Sequence, residues 1–196
     1  MIEHLVTSII EYQLNIGTIK KDDVNVYRYG YTLFIEAFLN LMLTLIVSAL
    51  LGKIKACILA LIMFIPLRSF CGGYHAKKTW QCIIFSNLSI LSVVIGAELF
   101  MQYNIPLLVY MITDIVLAII IICCSPAESN NHTLNDVERK HFQKYALVII
   151  SIEILIGNTL LIMGYQEISN IILGVHILQL LALLVSKYKE RYALSV

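Results

Sequence analysis

Six long apolar runs, Leu33–Leu51, Ile54–Leu67, Cys82–Met101, Ile105–Cys124, Ala146–Met163 and Ile168–Val185, fill most of this chain and limit its fold more than any other feature. Crossing roughly 30 Å of hydrocarbon as an α-helix takes about 20 residues. A backbone in lipid must also satisfy its own hydrogen bonds, which selects helices. Of the 196 residues, 59% are hydrophobic and only 14% charged, with a mean hydropathy of +0.83. Soluble domains carry about a quarter charged residues, so this chain lacks the polar surface to cover a globule in water. The sequence therefore predicts an all-α polytopic membrane bundle of about six transmembrane helices. The run Ile54–Leu67 is short and contains Pro66 near its end. It either crosses with local thinning of the bilayer or turns back as a re-entrant segment.

Ahead of the runs, Ile2, Leu5, Val6, Ile9, Ile10 and Leu14 recur at helical spacing, with Glu3, His4, Ser8 and Glu11 toward the other face. Segment 1–30 is too mixed to span a bilayer. It is expected to hold an amphipathic helix lying at the membrane interface, with packing on another protein element as the competing reading. No cleavable signal peptide is expected, since Glu3 and Glu11 stand where a basic start and an apolar core would be needed. The whole of 1–196 is expected to form one membrane domain, with the bundle in 33–185.

Orientation follows from the basic residues. With a cytoplasmic N-terminus and six crossings, 12 of the 14 Lys and Arg residues fall inside, and only Lys53 and Lys55 fall outside. A re-entrant Ile54–Leu67 would spoil that asymmetry. Both termini are thus expected in the cytoplasm, with cytoplasmic connections at 68–81 and 125–145, the latter part loop and part helix. Net charge is +1 and no basic run is present, so nothing points to a nucleic-acid partner. The five cysteines, Cys57, Cys71, Cys82, Cys123 and Cys124, form no CxxC and no disulfide framework.

Chemistry is concentrated in Arg68-Ser-Phe-Cys71-Gly72-Gly73-Tyr-His75-Ala-Lys-Lys-Thr-Trp-Gln-Cys82. Covalent catalysis by a thiol needs a group to manage its proton and donors for the oxyanion. On an unbroken helix, residues seven apart stand about 10 Å apart along the axis, too far for a thiol–imidazole hydrogen bond. The adjacent glycines permit unusual backbone angles, so the connection can fold His75 back over Cys82 at the start of the third run. There the unpaired amides and the helix dipole favour a thiolate. The Gly72 and Gly73 amides are candidates for the oxyanion hole, and Arg68 for holding a carboxylate. Cys71, four residues before His75, competes with Cys82 as nucleophile.

Glu36, Glu98, Asp114 and Glu153 lie within apolar runs, where acids are costly and therefore functional candidates. Glu98 is near enough to the outer end to reach water. Glu36, or Asn40 one turn later, is a candidate third member orienting His75. His176, single in the last run, reads as a packed or interfacial histidine. No HExxH, GxSxG or Walker motif occurs, and His132 and His141 lack a paired ligand set, so neither a metal nor another cofactor is expected.

The spacing Arg68…Gly73-Tyr74-His75-Ala76…Cys82, the later Ser125-Pro126-Ala127 followed by a basic connection, the chain length and the membrane pattern together resemble the accessory gene regulator B family, AgrB. The resemblance implies a membrane cysteine endopeptidase acting on a short AgrD-like precursor peptide. Cys82 matches the family's nucleophile and His75 its catalytic histidine, while Arg68 matches a further family position. The implied reaction cleaves off the acidic C-terminal part through a thioester acyl-enzyme. An internal cysteine or serine of the peptide then closes a cyclic thiolactone or lactone, the autoinducing signal of a quorum-sensing system. A homodimer in the cell membrane, with its active site at the cytoplasmic face, is also implied. The rival reading is a non-enzymatic peptide exporter or channel, which would not require the Arg-Gly-His-Cys cluster.

Overall fold

The computed structural model describes residues 2–73, 79–103, 105–127 and 135–193. Among them are seven α-helices: α1 (Ile2–Asn15), α2 (Val24–Leu50), α3 (Ile54–Cys71), α4 (Thr79–Phe100), α5 (Leu107–Cys124), α6 (Asp136–Ile162) and α7 (Gln166–Ala193). Six of these, α2 to α7, are long and apolar enough to cross a membrane. The chain is a helical multi-pass membrane protein by this measure.

Several boundaries differ from the sequence expectation. The short run is part of a helix that continues past Pro66 to Cys71, 18 residues in all. At 1.5 Å per residue that is roughly 27 Å, close to the hydrocarbon thickness. Arg68 consequently stands in the last turn of α3 and not in a loop. The polar connection before the fifth run becomes helical at Asp136 because Asn135 and Glu138 form a reciprocal capping box, with Glu138 N–H donating to Asn135 Oδ1 at 2.8 Å and Asn135 N–H to Glu138 Oε2 at 3.1 Å.

The chain divides into two compact units, Met1–Val47 and Ser48–Val196. The first unit has its own small core. Val6 and Ile10 of α1 and Ile19 are buried, with Val24, Tyr31 and Ile35 packed on them. Gln13 and Tyr31 join side chain to side chain, 2.6 Å from Nε2 to Oη. The apolar stripe of α1 is thus covered by protein, while Leu5, Tyr12 and Ile16 stay exposed.

In the second unit α7 is the central element. It packs against α3, α4, α5 and α6. Of its apolar window 44% is buried, against 22–28% for the others of this unit. Apolar packing alone gives little preference between protein and lipid, so small and polar groups supply the specific joints. Ser169 Oγ donates to the Gly157 carbonyl (2.9 Å), Asn170 Nδ2 to the Ala97 carbonyl (3.1 Å), and the Tyr110 hydroxyl to the Ser169 carbonyl. At one end of the bundle Lys53 Nζ meets Glu98 Oε1 at 2.6 Å, both partly exposed. Glu98 therefore reaches the surface, as its position near the end of its run implies.

Candidate functional site

The C-terminus of α3 lies at the other end of that helix from the Lys53–Glu98 pair. The last carbonyls of a helix lack intrahelical partners, and here the Arg68 and Cys71 carbonyls and that of Gly72 just beyond have named donors. Gly72, with φ +70°, turns its N–H back to the Arg68 carbonyl at 3.0 Å. The Cys71 carbonyl accepts from the Ala127 N–H at 2.9 Å. The Gly72 carbonyl accepts twice, from Arg68 Nη1 at 2.9 Å and from Gln179 Nε2 of α7 at 2.9 Å.

These contacts explain the adjacent glycines. A Cβ on Gly72 would stand 2.6 Å from the Ala127 carbonyl oxygen, and one on Gly73 (φ +138°) 1.7 Å from Arg68 Nη1. Only glycine lets the guanidinium fold over the helix end. The Gly72 amide, a candidate oxyanion donor, closes the final turn of α3 on the Arg68 carbonyl.

Cys82 lies in the first turn of α4 and is partly exposed. The Arg68 guanidinium is within coulombic reach of both the Cys82 and Cys71 sulfurs. The two cysteines differ in access. Cys71 is fully buried in the core. Phe70 beside it stacks on Tyr145 of α6, ring centroids 5.1 Å apart. His75, with Tyr74, Ala76, Lys77 and Lys78, lies outside the described residues, as does His132. Glu36 and Asn40 are half-buried, one turn apart on α2, within the first unit. Each already has an interaction partner.

Sequence reasoning missed a second constellation deep in the bundle. His176, described above as a packed histidine, is fully buried, with Nδ1 2.6 Å from Asp114 Oδ1 and Nε2 3.0 Å from Glu153 Oε2. The signal was present, because two acids and one histidine sit in three different apolar runs, and buried charges demand partners. The carboxylates flank opposite ring nitrogens, so the three groups do not converge on a common point. Among the described residues no set of three His, Cys, Asp or Glu side chains is arranged to hold a metal ion.

Two cavities flank the site's helices. One of about 420 Å³ is mostly apolar and lies between α4, α5 and α7, with Gly96, Tyr110 and Gly174 among its walls. The other, about 280 Å³, is polar and adjoins the Ser125–Ala127 segment, with Arg139, Gln143 and Lys187 in its lining.

A many-spanning helical membrane protein with an arginine-capped glycine turn and a cysteine at the start of the following helix is the class defined by these features. The model of one family, accessory gene regulator B, matches residues 2–183. The chain belongs to the AgrB family. It is also similar to protein FsrB of Enterococcus faecalis (strain ATCC 47077 / OG1RF), 33% identical over 55 residues. That stretch covers 28% of this chain and only 23% of the relative's length. No solved structure matches the chain.

Proposed function

We propose that this chain is a membrane cysteine endopeptidase that processes an AgrD-like precursor peptide of a quorum-sensing system. Cys82 is the nucleophile. Its thiol proton passes to His75 as the sulfur attacks the scissile carbonyl. The C–N bond then breaks, and His75 returns the proton to the leaving amine of the C-terminal part. The N-terminal part stays on Cys82 as a thioester. A thiol or hydroxyl within the bound peptide attacks that thioester, releasing Cys82 and closing a thiolactone or lactone ring. A held intramolecular nucleophile enjoys a very high effective concentration, and a site that restricts water preserves the activated acyl group for it.

The observation that carries this reading is the difference in access between the two cysteines near Arg68. Cys82 is partly exposed at the start of a helix, whereas Cys71 is sealed in the core. Family membership supports the same assignment. Arg68 serves here by capping the Gly72 turn beside Cys82, and any contact with an acidic substrate tail is added to that role. The active site belongs to the cytoplasmic face, where a ribosomally made precursor arrives, and the working unit is a homodimer.

The test is co-expression of the chain with the small AgrD-like peptide encoded beside it, following cleavage by mass spectrometry. Wild type and Cys71→Ala should cleave, and Cys82→Ala should not. A thioester-linked peptide should be trappable on the wild-type protein. Cleavage that survives in Cys82→Ala and vanishes in Cys71→Ala would assign the nucleophile to the wrong residue. Transport of intact peptide without any cleavage would favour an exporter.

A further inference from the structure

The helix at the centre of the bundle carries an unusual stripe. His176, Gln179, Leu183 and Ser186 recur at spacings of three and four along α7, and all are buried. Such spacing places them on one helical face. Gln179 is fully buried and gives its Nε2 to the Gly72 carbonyl, 107 residues away in sequence, at 2.9 Å. Its Oε1 is buried without a hydrogen-bond partner among the described residues. Buried polar atoms are normally paired, and an apolar residue of similar volume would pack at this position without the orphan. What such a residue would lack is the donor aimed at Gly72.

The surroundings hold that donor in place. One turn before it, His176 bridges Asp114 of α5 and Glu153 of α6, so the ring cannot turn without losing a partner. That fixes the rotation of α7 about its own axis. One turn after it, Ala182 backs Gly73, with its carbonyl carbon 3.4 Å from where a Cβ on that glycine would stand. The glycine turn is thus held by Arg68 from its own helix and by Gln179 and Ala182 from α7.

We propose that Gln179 is a positioning residue for the peptidase reaction. By donating to the Gly72 carbonyl it sets the direction in which the chain leaves α3, and so governs the chemistry at Cys82. The His176–Asp114–Glu153 cluster fixes the register of α7 that this requires. The inference rests on the peptidase reading above.

The experiment uses the full chain in lipid nanodiscs with the same AgrD-like precursor, comparing wild type, Gln179→Met and Gln179→Glu. Gln179→Met keeps the volume and removes the donor. It should lower kcat at least tenfold, leave KM within threefold and melt near the wild-type temperature. Unchanged kcat, or a loss of activity only in proportion to lost folded protein, overturns the proposal.

Gln179→Glu adds a readout that packing alone would not move. A carboxylate cannot donate, whereas a protonated carboxyl can. The ratio of variant to wild-type kcat should therefore rise as pH falls from 8 to 5.5. The titratable groups around this position, Arg68 and Cys71 on α3, Glu153 on α6 and His176 on α7, are present in both proteins, and wild type measured over the same pH range supplies their background. A ratio independent of pH overturns the donor role, and this measurement decides alone if Gln179→Met fails to fold. Should wild type leave the precursor intact, the peptidase reading fails. Cleavage that needs Cys82 but is indifferent to Gln179 sinks only this inference.

Discussion

Position 73 has no room for a β-carbon, because the Arg68 guanidinium already occupies that space. Gly73→Ala must push the arginine off the Gly72 carbonyl, and its positive φ adds strain of about 1–3 kcal/mol. We expect this variant to insert and fold but to lose most Cys82-dependent cleavage, measured as product per folded protein. Gly72→Ala meets a backbone oxygen where Gly73→Ala meets a side-chain tip. It should cost more stability, read as a lower melting temperature than that of Gly73→Ala. The two cysteines separate by reagent as well as by mutation. Maleimide added to the folded protein should modify Cys82 and spare Cys71 until the bundle is unfolded. Rapid labelling of Cys71 in the native state would contradict its burial.

Among the elements, α7 owes its central place to polar residues more than to its apolar ones. In lipid an apolar face has little reason to prefer protein, whereas a buried imidazole between two carboxylates has no acceptable alternative. Removing one member of such a group strands the others and costs about 3–5 kcal/mol, while replacing the whole group by well-packed apolar side chains is often neutral. His176→Ala should therefore melt well below wild type in detergent. A triple replacement of Asp114, Glu153 and His176 by leucine should recover much of that loss. Additive losses from the three sites would show that they do not act as one unit. The polar residues of α3 and α4 have a different logic, since Lys53 and Glu98 pair near the surface. Exposed pairs contribute at most about 1 kcal/mol, so Lys53→Ala should leave both folding and cleavage close to wild type.

At the scale of the whole molecule, the charge distribution and the helix count agree on one topology. Six helices are long enough to cross, and an even number of crossings returns the C-terminus to the side of the N-terminus. We propose that the side which would then carry 12 of the 14 basic residues is the cytoplasm. Reporter fusions after Ser125 and at the C-terminus should read as cytoplasmic, and a fusion after Gln102 as external. A periplasmic-type or extracellular signal from the C-terminal fusion would require an odd number of crossings. Were the lost crossing α2 or α3, the Gly72 turn would move to the other face, away from a cytoplasmic precursor. The length of α3 makes this topology physically reasonable. Read from apolar residues alone, that segment stops at Leu67, yet Arg68 can end a spanning helix by folding its charge onto a carbonyl at the helix end.

The amino-acid sequence by itself determined the solvent and the number of helices long and apolar enough to cross, and it gathered the candidate chemistry into one neighbourhood. Hydrophobic length and residue type are local properties, and a bilayer enforces them segment by segment. The glycine pair, the arginine before it and the cysteine after it are also close in sequence, so the candidate site was legible as a cluster. Tertiary structure alone decided which cysteine is accessible, since Cys71 and Cys82 differ in what covers them and not in type. It also decided that the Gly72 amide caps α3, and that His176 joins acids 62 and 23 residues away. The choice of Gln179 as the partner of Gly72 was likewise invisible in sequence. Such pairings depend on which faces meet once helices pack, and helical periodicity fixes a face without naming the helix that will cover it.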